Sequence, residues 1–194
     1  MRKFIQIRGS MGTGKTSAVR QFLQLTGNFT LHQITVQGKQ YPFYHNSQKN
    51  IVITGIYGRR VSDGLDGVID NRDTMMAYLL KIVDTVQPDY IIFEAILYGI
   101  TYLFGKELAD ELKKRGIEYI GLEFCPPYEF TVSNILQRNG GKRINFKGLK
   151  QKWENSKKAS EKLQKDGYNI KFVDTSRMRL SEMHRIIDEE IQGA

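Results

Sequence analysis

Gly9-Ser10-Met11-Gly12-Thr13-Gly14-Lys15-Thr16 is the stretch that decides how this chain reads. It matches G-x-x-x-x-G-K-[S/T] in full, and the spacing has a physical basis. Glycines let successive backbone N–H groups turn inward around nucleotide phosphates. The lysine reaches the β- and γ-phosphates, and the hydroxyl after it serves the accompanying magnesium ion. Before the motif, Phe4-Ile5-Gln6-Ile7 alternates as a strand does. After it, residues 15–25 place Ala18, Val19, Phe22, Leu23 and Leu25 at helical spacing, and Gly27 ends the run. The helix brings the partial positive charge of its N-terminus to the loop. ATP with Mg²⁺ is therefore the expected ligand pair, held by residues 9–16; a glycine-rich turn without a ligand is the plain alternative.

Further along, residues 34–36 and 41–44 read as a β-hairpin turning at Gly38, at a sheet edge because of Pro42. Residues 51–56, 90–93, 117–124 and 168–173 read as strands. Helices are expected over 73–86, 104–115, 127–138, 147–165 and 180–191. Fully apolar strands such as Tyr90-Ile-Ile-Phe93 need cover on both faces, which a parallel sheet between two helix layers supplies. Ligands of such sheets bind beyond the C-terminal strand ends. Three segments fall on that edge: 9–16, 57–70 and 94–98.

With 194 residues, the chain has length for one compact domain spanning 1–194 and hardly for two. No apolar run approaches the ~20 residues of a membrane helix, and the basic start lacks the apolar core of a signal peptide. A cytoplasmic location and no membrane partner are expected. Cys125 stands alone, so no intrachain disulfide can form, and a structural thiol is expected there. The three histidines have no metal-ligand spacing. Net charge is +8, and residues 138–171 alone hold 11 basic and 3 acidic side chains, leaving 18 of each elsewhere. The whole excess thus sits in one segment. Such a localised surface attracts nucleic acid or phosphorylated ligands; a lysine-rich solvated helix face is the alternative.

Glu94, ending the apolar strand, is the candidate second group for magnesium beside Thr16, standing where an aspartate is commoner; a strand-end acid facing a helix N-terminus is the bland reading. The Gly- and Asp-rich segment 55–70 is the candidate acceptor side. A carboxylate there, Asp63 or Asp66, could take the proton of an acceptor hydroxyl. Tyr98 and Tyr102 are either base-stacking or core aromatics.

The run Gln137-Arg138-Asn-Gly-Gly-Lys-Arg143, after a Pro-Pro-initiated helix, resembles the lid of the nucleoside and nucleotide monophosphate kinase-like superfamily. That resemblance makes Arg138 and Arg143 the lid arginines, within a lid near 138–147. Their planar forks would meet the spread charge of a transferring phosphoryl group. Within that superfamily, Tyr57-Gly58, Asp63-Gly64-Leu65-Asp66 and Phe93-Glu94-Ala95 resemble signatures of bacteriophage P-loop kinases that phosphorylate 5-hydroxymethyluracil in DNA. Asp63 and Ala95 stand where those proteins carry glycine. The resemblance implies a three-layer αβα P-loop kinase fold with a five-stranded parallel core sheet and an inserted hairpin near 31–45. It also implies ATP and Mg²⁺ as cofactors and modified-pyrimidine DNA as partner, in the host cytoplasm if the chain is phage-encoded; no obligate protein partner is inferred. In the implied roles Lys15 holds phosphate, Thr16 and Glu94 organise Mg²⁺, Asp66 accepts the hydroxyl proton, and Arg138 and Arg143 stabilise transferring charge. A kinase for a free nucleoside, nucleotide or other alcohol is the first alternative. A nucleotide-dependent DNA-binding module without phosphoryl transfer is the second.

Overall fold

The computed structural model describes residues 1–58, 63–69, 71–140 and 144–193. Seven strands form one sheet: β1 (Lys3–Arg8), β2 (Thr30–Val36), β3 (Lys39–Asn46), β4 (Ile51–Thr54), β5 (Tyr90–Glu94), β6 (Glu118–Phe124) and β7 (Asn169–Val173), in the order β2-β3-β4-β5-β1-β6-β7. β4, β5, β1, β6 and β7 are parallel to their neighbours, which is the expected five-stranded core. The hairpin β2–β3 adds two antiparallel strands outside β4. Pro42 therefore lies not on the edge strand but on β3, inside the sheet. It is tolerated because the β3–β4 ladder begins one residue later, at Phe43, so no β4 carbonyl goes unpaired for want of its N–H.

The helices are α1 (Lys15–Thr26), α2 (Arg72–Val86), α3 (Tyr102–Lys114), α4 (Tyr128–Asn139), α5 (Phe146–Lys165) and α6 (Arg185–Gln192). Strand alternation sorts side chains between two layers. Ile5 and Ile7 of β1 face Ala18, Val19 and Phe22 of α1 and Ile187 of α6. Phe4 faces the other way, in the cluster that holds Leu79 and Ile82 of α2, Phe104 and Leu108 of α3 and Leu163 of α5. Next on that same side of β1 come Gln6 and Arg8, both with no solvent exposure.

The final helix begins later than its periodicity suggests. Residues 180–182 form a short 3-10 turn instead of a first α-turn. Met183 is thereby carried onto the nucleotide loop, where its Cε lies 3.0 Å from the place a Cβ on Gly14 would take. Between α4 and α5, the expected lid runs through residues 141–143, which are outside the described residues.

β1 is the strand at which the direction of winding changes. The chain leaves it towards β4 and β5 on one side and later builds β6 and β7 on the other. A crevice opens beyond the C-terminal end of such a strand. The motif at residues 9–16 follows β1 directly into it.

Candidate active site

The loop after β1 has the shape its glycines permit. Gly9 (φ +129°) would place a Cβ 2.6 Å from the Phe124 carbonyl oxygen, and Gly12 (φ +78°) would place one 2.8 Å from that of Thr131. Any larger residue would push the loop off β6 and α4. Gly14 precedes α1 without a side-chain cap, so the first amides of the helix are left for a ligand. Two side chains outside the motif brace it: Asn134 Nδ2 donates to the Gly12 carbonyl at 2.9 Å, and Thr175 Oγ1 to that of Thr13 at 2.8 Å.

Lys15 is buried and its Nζ donates to the Ser10 carbonyl at 2.7 Å. Burial pushes its pKa down; Glu94, Asp66 and Glu123 oppose that through their charge. Thr16 Oγ1 donates to Glu94 Oε1 at 2.6 Å, so the two expected magnesium-side groups are in contact. Glu94 is 2% exposed, and burial raises its pKa against the pull of Lys15 and the Thr16 hydroxyl. The Tyr57 hydroxyl reaches Glu94 Oε2 at 3.4 Å and also favours the ionised carboxylate. A hydroxyl beside one carboxylate suits Mg²⁺, which keeps several waters and takes the rest of its octahedron from substrate phosphates. The donor set fits the ion.

The two candidate bases have different surroundings. Asp66 accepts the backbone amides of Ile96 (2.5 Å) and Leu97 (3.0 Å), one on each carboxylate oxygen, and its charge is felt at Lys15 and Glu94. Each oxygen retains a lone pair. Asp63 pairs with Arg20 of α1 and accepts the Gly58 amide at 3.2 Å, so it fastens the start of its loop to the first helix.

A cleft of about 380 Å³ opens over Gly12, Lys15 and Thr16. Phe130, Asn134 and Arg138, four residues apart on α4, line one wall, and Met178 and Met183 line another. Arg138 is exposed, and its charge is felt at Lys15. Arg143, the other expected lid arginine, is outside the described residues. Tyr98 packs against the core, and Tyr102 donates to Asp166 at 2.6 Å beneath Lys162, whose Nζ is 3.9 Å from the ring centroid. Both aromatics thus have structural contacts. Cys125 is half-buried, and burial pushes its thiol up, away from the reactive thiolate.

Sequence reading passed over Tyr57 as a partner of Glu94, Asn134 and Thr175 as braces, and Met178 and Met183 as walls. Asn134 carries a legible signal, since it lies one helical turn before Arg138 on the same face. The others depend on contacts between distant parts of the chain. Among the described residues no helix is long and apolar enough to cross a membrane. The charge excess lies largely on α5, where Lys150, Lys152, Lys158, Lys162 and Lys165 are exposed.

No family model matches the chain. Among curated proteins it is similar to 5-hmdU DNA kinase 1 of Salmonella phage ViI, with 30% identity over 155 residues, 76% of this chain and 64% of that protein. The resemblance read from the motifs thus extends over most of the chain, while the chain spans under two thirds of the relative's length. Among solved structures it is similar to the tunicamycin resistance protein of Deinococcus radiodurans, with TM-score 0.55 and 13% identity over 98% of this chain and 96% of that one. It is also similar to shikimate kinase from Acinetobacter baumannii, with TM-score 0.52 and 14% identity over 99% and 94%. At these identities the likenesses establish the fold: the chain has the P-loop kinase fold.

Proposed function

We propose that this chain is an ATP-dependent kinase that phosphorylates the hydroxymethyl group of 5-hydroxymethyluracil in DNA. The observation that carries the kinase reading is the meeting of Lys15 and Thr16 at one cleft with the buried Glu94 behind them, Thr16 Oγ1 lying 2.6 Å from Glu94 Oε1. The similarity to a phage 5-hmdU DNA kinase and the basic face of α5 support the DNA acceptor.

The loop amides and Lys15 bind the ATP phosphates, and Thr16 and Glu94 hold Mg²⁺. Held there by Thr16 and Glu94, the ion would supply positive charge against the phosphates. Asp66 takes the proton of the acceptor hydroxyl as its oxygen bonds to the γ-phosphorus. The bond between that phosphorus and the β,γ-bridging oxygen breaks, leaving ADP. Arg138, joined by Arg143, offers its fork to the equatorial oxygens, where the charge of a loose transition state lies.

Incubation with γ-labelled ATP tests the reading, using hydroxymethyluracil DNA, the free nucleoside and its monophosphate in parallel. Label is expected in DNA and should vanish in Lys15→Ala. Label confined to the small molecules would assign the chain to small-alcohol kinases, and DNA binding or ATP hydrolysis without labelled acceptor would remove the transferase altogether.

A further inference from the structure

The segment between β5 and α3 has an unusual combination of properties. It lies at the surface beside the cleft, which Ile96 helps to line, yet its backbone is held by the half-buried Asp66 at one end and by the buried Gln6 and Arg8 at the other. Asp66 accepts the amides of Ile96 and Leu97. Gln6 Nε2 and Arg8 Nη1 donate to the Gly99 carbonyl at 2.5 and 2.9 Å, and Arg8 Nη2 donates to that of Ile100 at 2.9 Å. Arg8 is wholly buried; its Nε donates to Ser160 Oγ at 2.9 Å, and Ser160 and Ser156 of α5 donate to Glu123 at 2.6 and 2.7 Å. Thr101 then caps α3 through its Oγ1, which accepts the Phe104 amide at 3.4 Å. A buried guanidinium needs its full set of partners to be tolerated, and here two of those partners are carbonyls of a surface loop.

Besides Thr101, the exposed residues of the stretch 96–103 are two leucines. Leu97 is 54% exposed and Leu103 is 69% exposed. The shallow groove beside Leu103 is balanced in charge, with Arg72, Lys106 and Lys114 each paired to an acid of the same groove, while Lys162 of the basic α5 stands over the Tyr102 ring. A stiff apolar tip beside the basic α5, at the mouth of a phosphoryl-transfer cleft, matches one occupant, the base stack of a duplex. Cations hold the backbone, and an apolar side chain fills the gap left by a displaced base. We infer that the segment 96–103 is a preformed wedge that extrudes the target base from duplex DNA, with Leu97 entering the stack in its place. The inference rests on the DNA-kinase reading above and adds how a base inside a duplex reaches the cleft. A duplex base cannot meet the chemistry without leaving the stack, and a tip fixed in advance meets that demand without reordering the loop.

The test is single-turnover transfer to one hydroxymethyluracil site, presented in a duplex and in the same single strand, by wild type, Leu97→Ser and Leu97→Phe. Leu97→Ser should slow the duplex reaction by about tenfold or more and the single-strand reaction by less than about twofold, since unstacking is needed only in the duplex. Leu97→Phe should restore the duplex rate. A 2-aminopurine beside the target should brighten when wild type binds the duplex and stay dim with Leu97→Ser. Equal losses on both substrates, no loss on the duplex, or a wild type inactive on duplex while active on single strands would overturn the wedge alone. Label in neither DNA form would instead overturn the DNA-kinase reading, and the wedge with it.

Discussion

Glu94 is buried, hydrogen-bonded to Thr16 and raised in pKa chiefly by burial, with Lys15 and the Thr16 and Tyr57 hydroxyls acting against the rise. Magnesium needs the ionised carboxylate. Turnover at sub-saturating Mg²⁺, where the metal-free carboxyl sets the fraction competent to bind, should therefore climb with pH through a limb above the ordinary glutamate value of 4.5. Removing the Tyr57 hydroxyl takes away a contact that favours ionisation, so Tyr57→Phe should move that limb to still higher pH. A pH–rate series on both proteins checks this; an unmoved limb would place the titrating group elsewhere. Stability carries the same sign. A carboxyl raised on folding stabilises fully below its unfolded pKa, and that contribution is lost as pH rises through the folded value. Glu94→Gln should accordingly gain stability over wild type as pH rises past 4.5, read by thermal melts at several pH values. Asp66→Asn should cost transfer about 10²–10⁴-fold with near-normal ATP binding. Because Asp66 also accepts the Ile96 and Leu97 amides, exchange of those two amide protons should quicken. Asp63→Asn should act on melting temperature more than on rate, since Asp63 fastens Arg20 and Gly58. A dead Asp63→Asn beside an active Asp66→Asn would reverse the two roles.

At the scale of elements, α4 places Arg138 on the cleft face shared by Phe130 and Asn134. A group that meets charge best in the transition state affects turnover more than ground-state binding. Arg138→Ala should lower kcat by about 10²-fold while the ATP dissociation constant changes little. If turnover survives, the lid charge comes from residues beyond α4. On α5, neutralising Lys150, Lys157, Lys158 and Lys162 together should flatten the salt dependence of DNA binding. Each lost phosphate contact should reduce the log–log slope by about 0.9 on duplex or about 0.7 on single strands. An unchanged slope would reduce α5 to a solvated face. Lys157 and Lys162 already lie over the Trp153 and Tyr102 rings, at 5.8 and 3.9 Å, so their shares should be smaller than those of Lys150 and Lys158.

Across the whole molecule, the nucleotide loop is held by three distant parts of the chain: β6 at Phe124, α4 at Thr131 and Asn134, and the segment carrying Thr175 and Met183. A ligand on that loop should therefore stabilise the entire fold. At a hundredfold excess over the dissociation constant, ATP–Mg²⁺ should add about 2.7 kcal/mol. For a chain of this size that is a rise in Tm of roughly 5–10 °C. Lys15→Ala should lose most of the shift, and a wild type whose Tm ignores ATP would contradict the nucleotide site.

What the sequence by itself determined is what depends on local spacing. The nucleotide loop, the five parallel strands, the helix register and the pairing of Thr16 with Glu94 all follow from motif, periodicity and strand ends, because each involves neighbours in the chain or the common edge of one sheet. The resemblance also singled out Tyr57, though not its role. Only the tertiary structure decided the rest. The place of Pro42 depended on how far β4 extends, and the late start of α6 on packing of Met183 against Gly14. The division of Asp63 from Asp66 depended on which distant amides each could reach. Arg8 shows the limit most clearly. In the sequence it is one basic residue at the end of a strand, and nothing local marks it as buried. Apart from Gln6 two residues back, the hydrogen-bond partners of its guanidinium lie about 90 to 150 positions away, in the loop after β5 and on α5. A buried charge is tolerated only where the fold assembles all of its partners at once, and that assembly is a property of the folded chain rather than of any window within it.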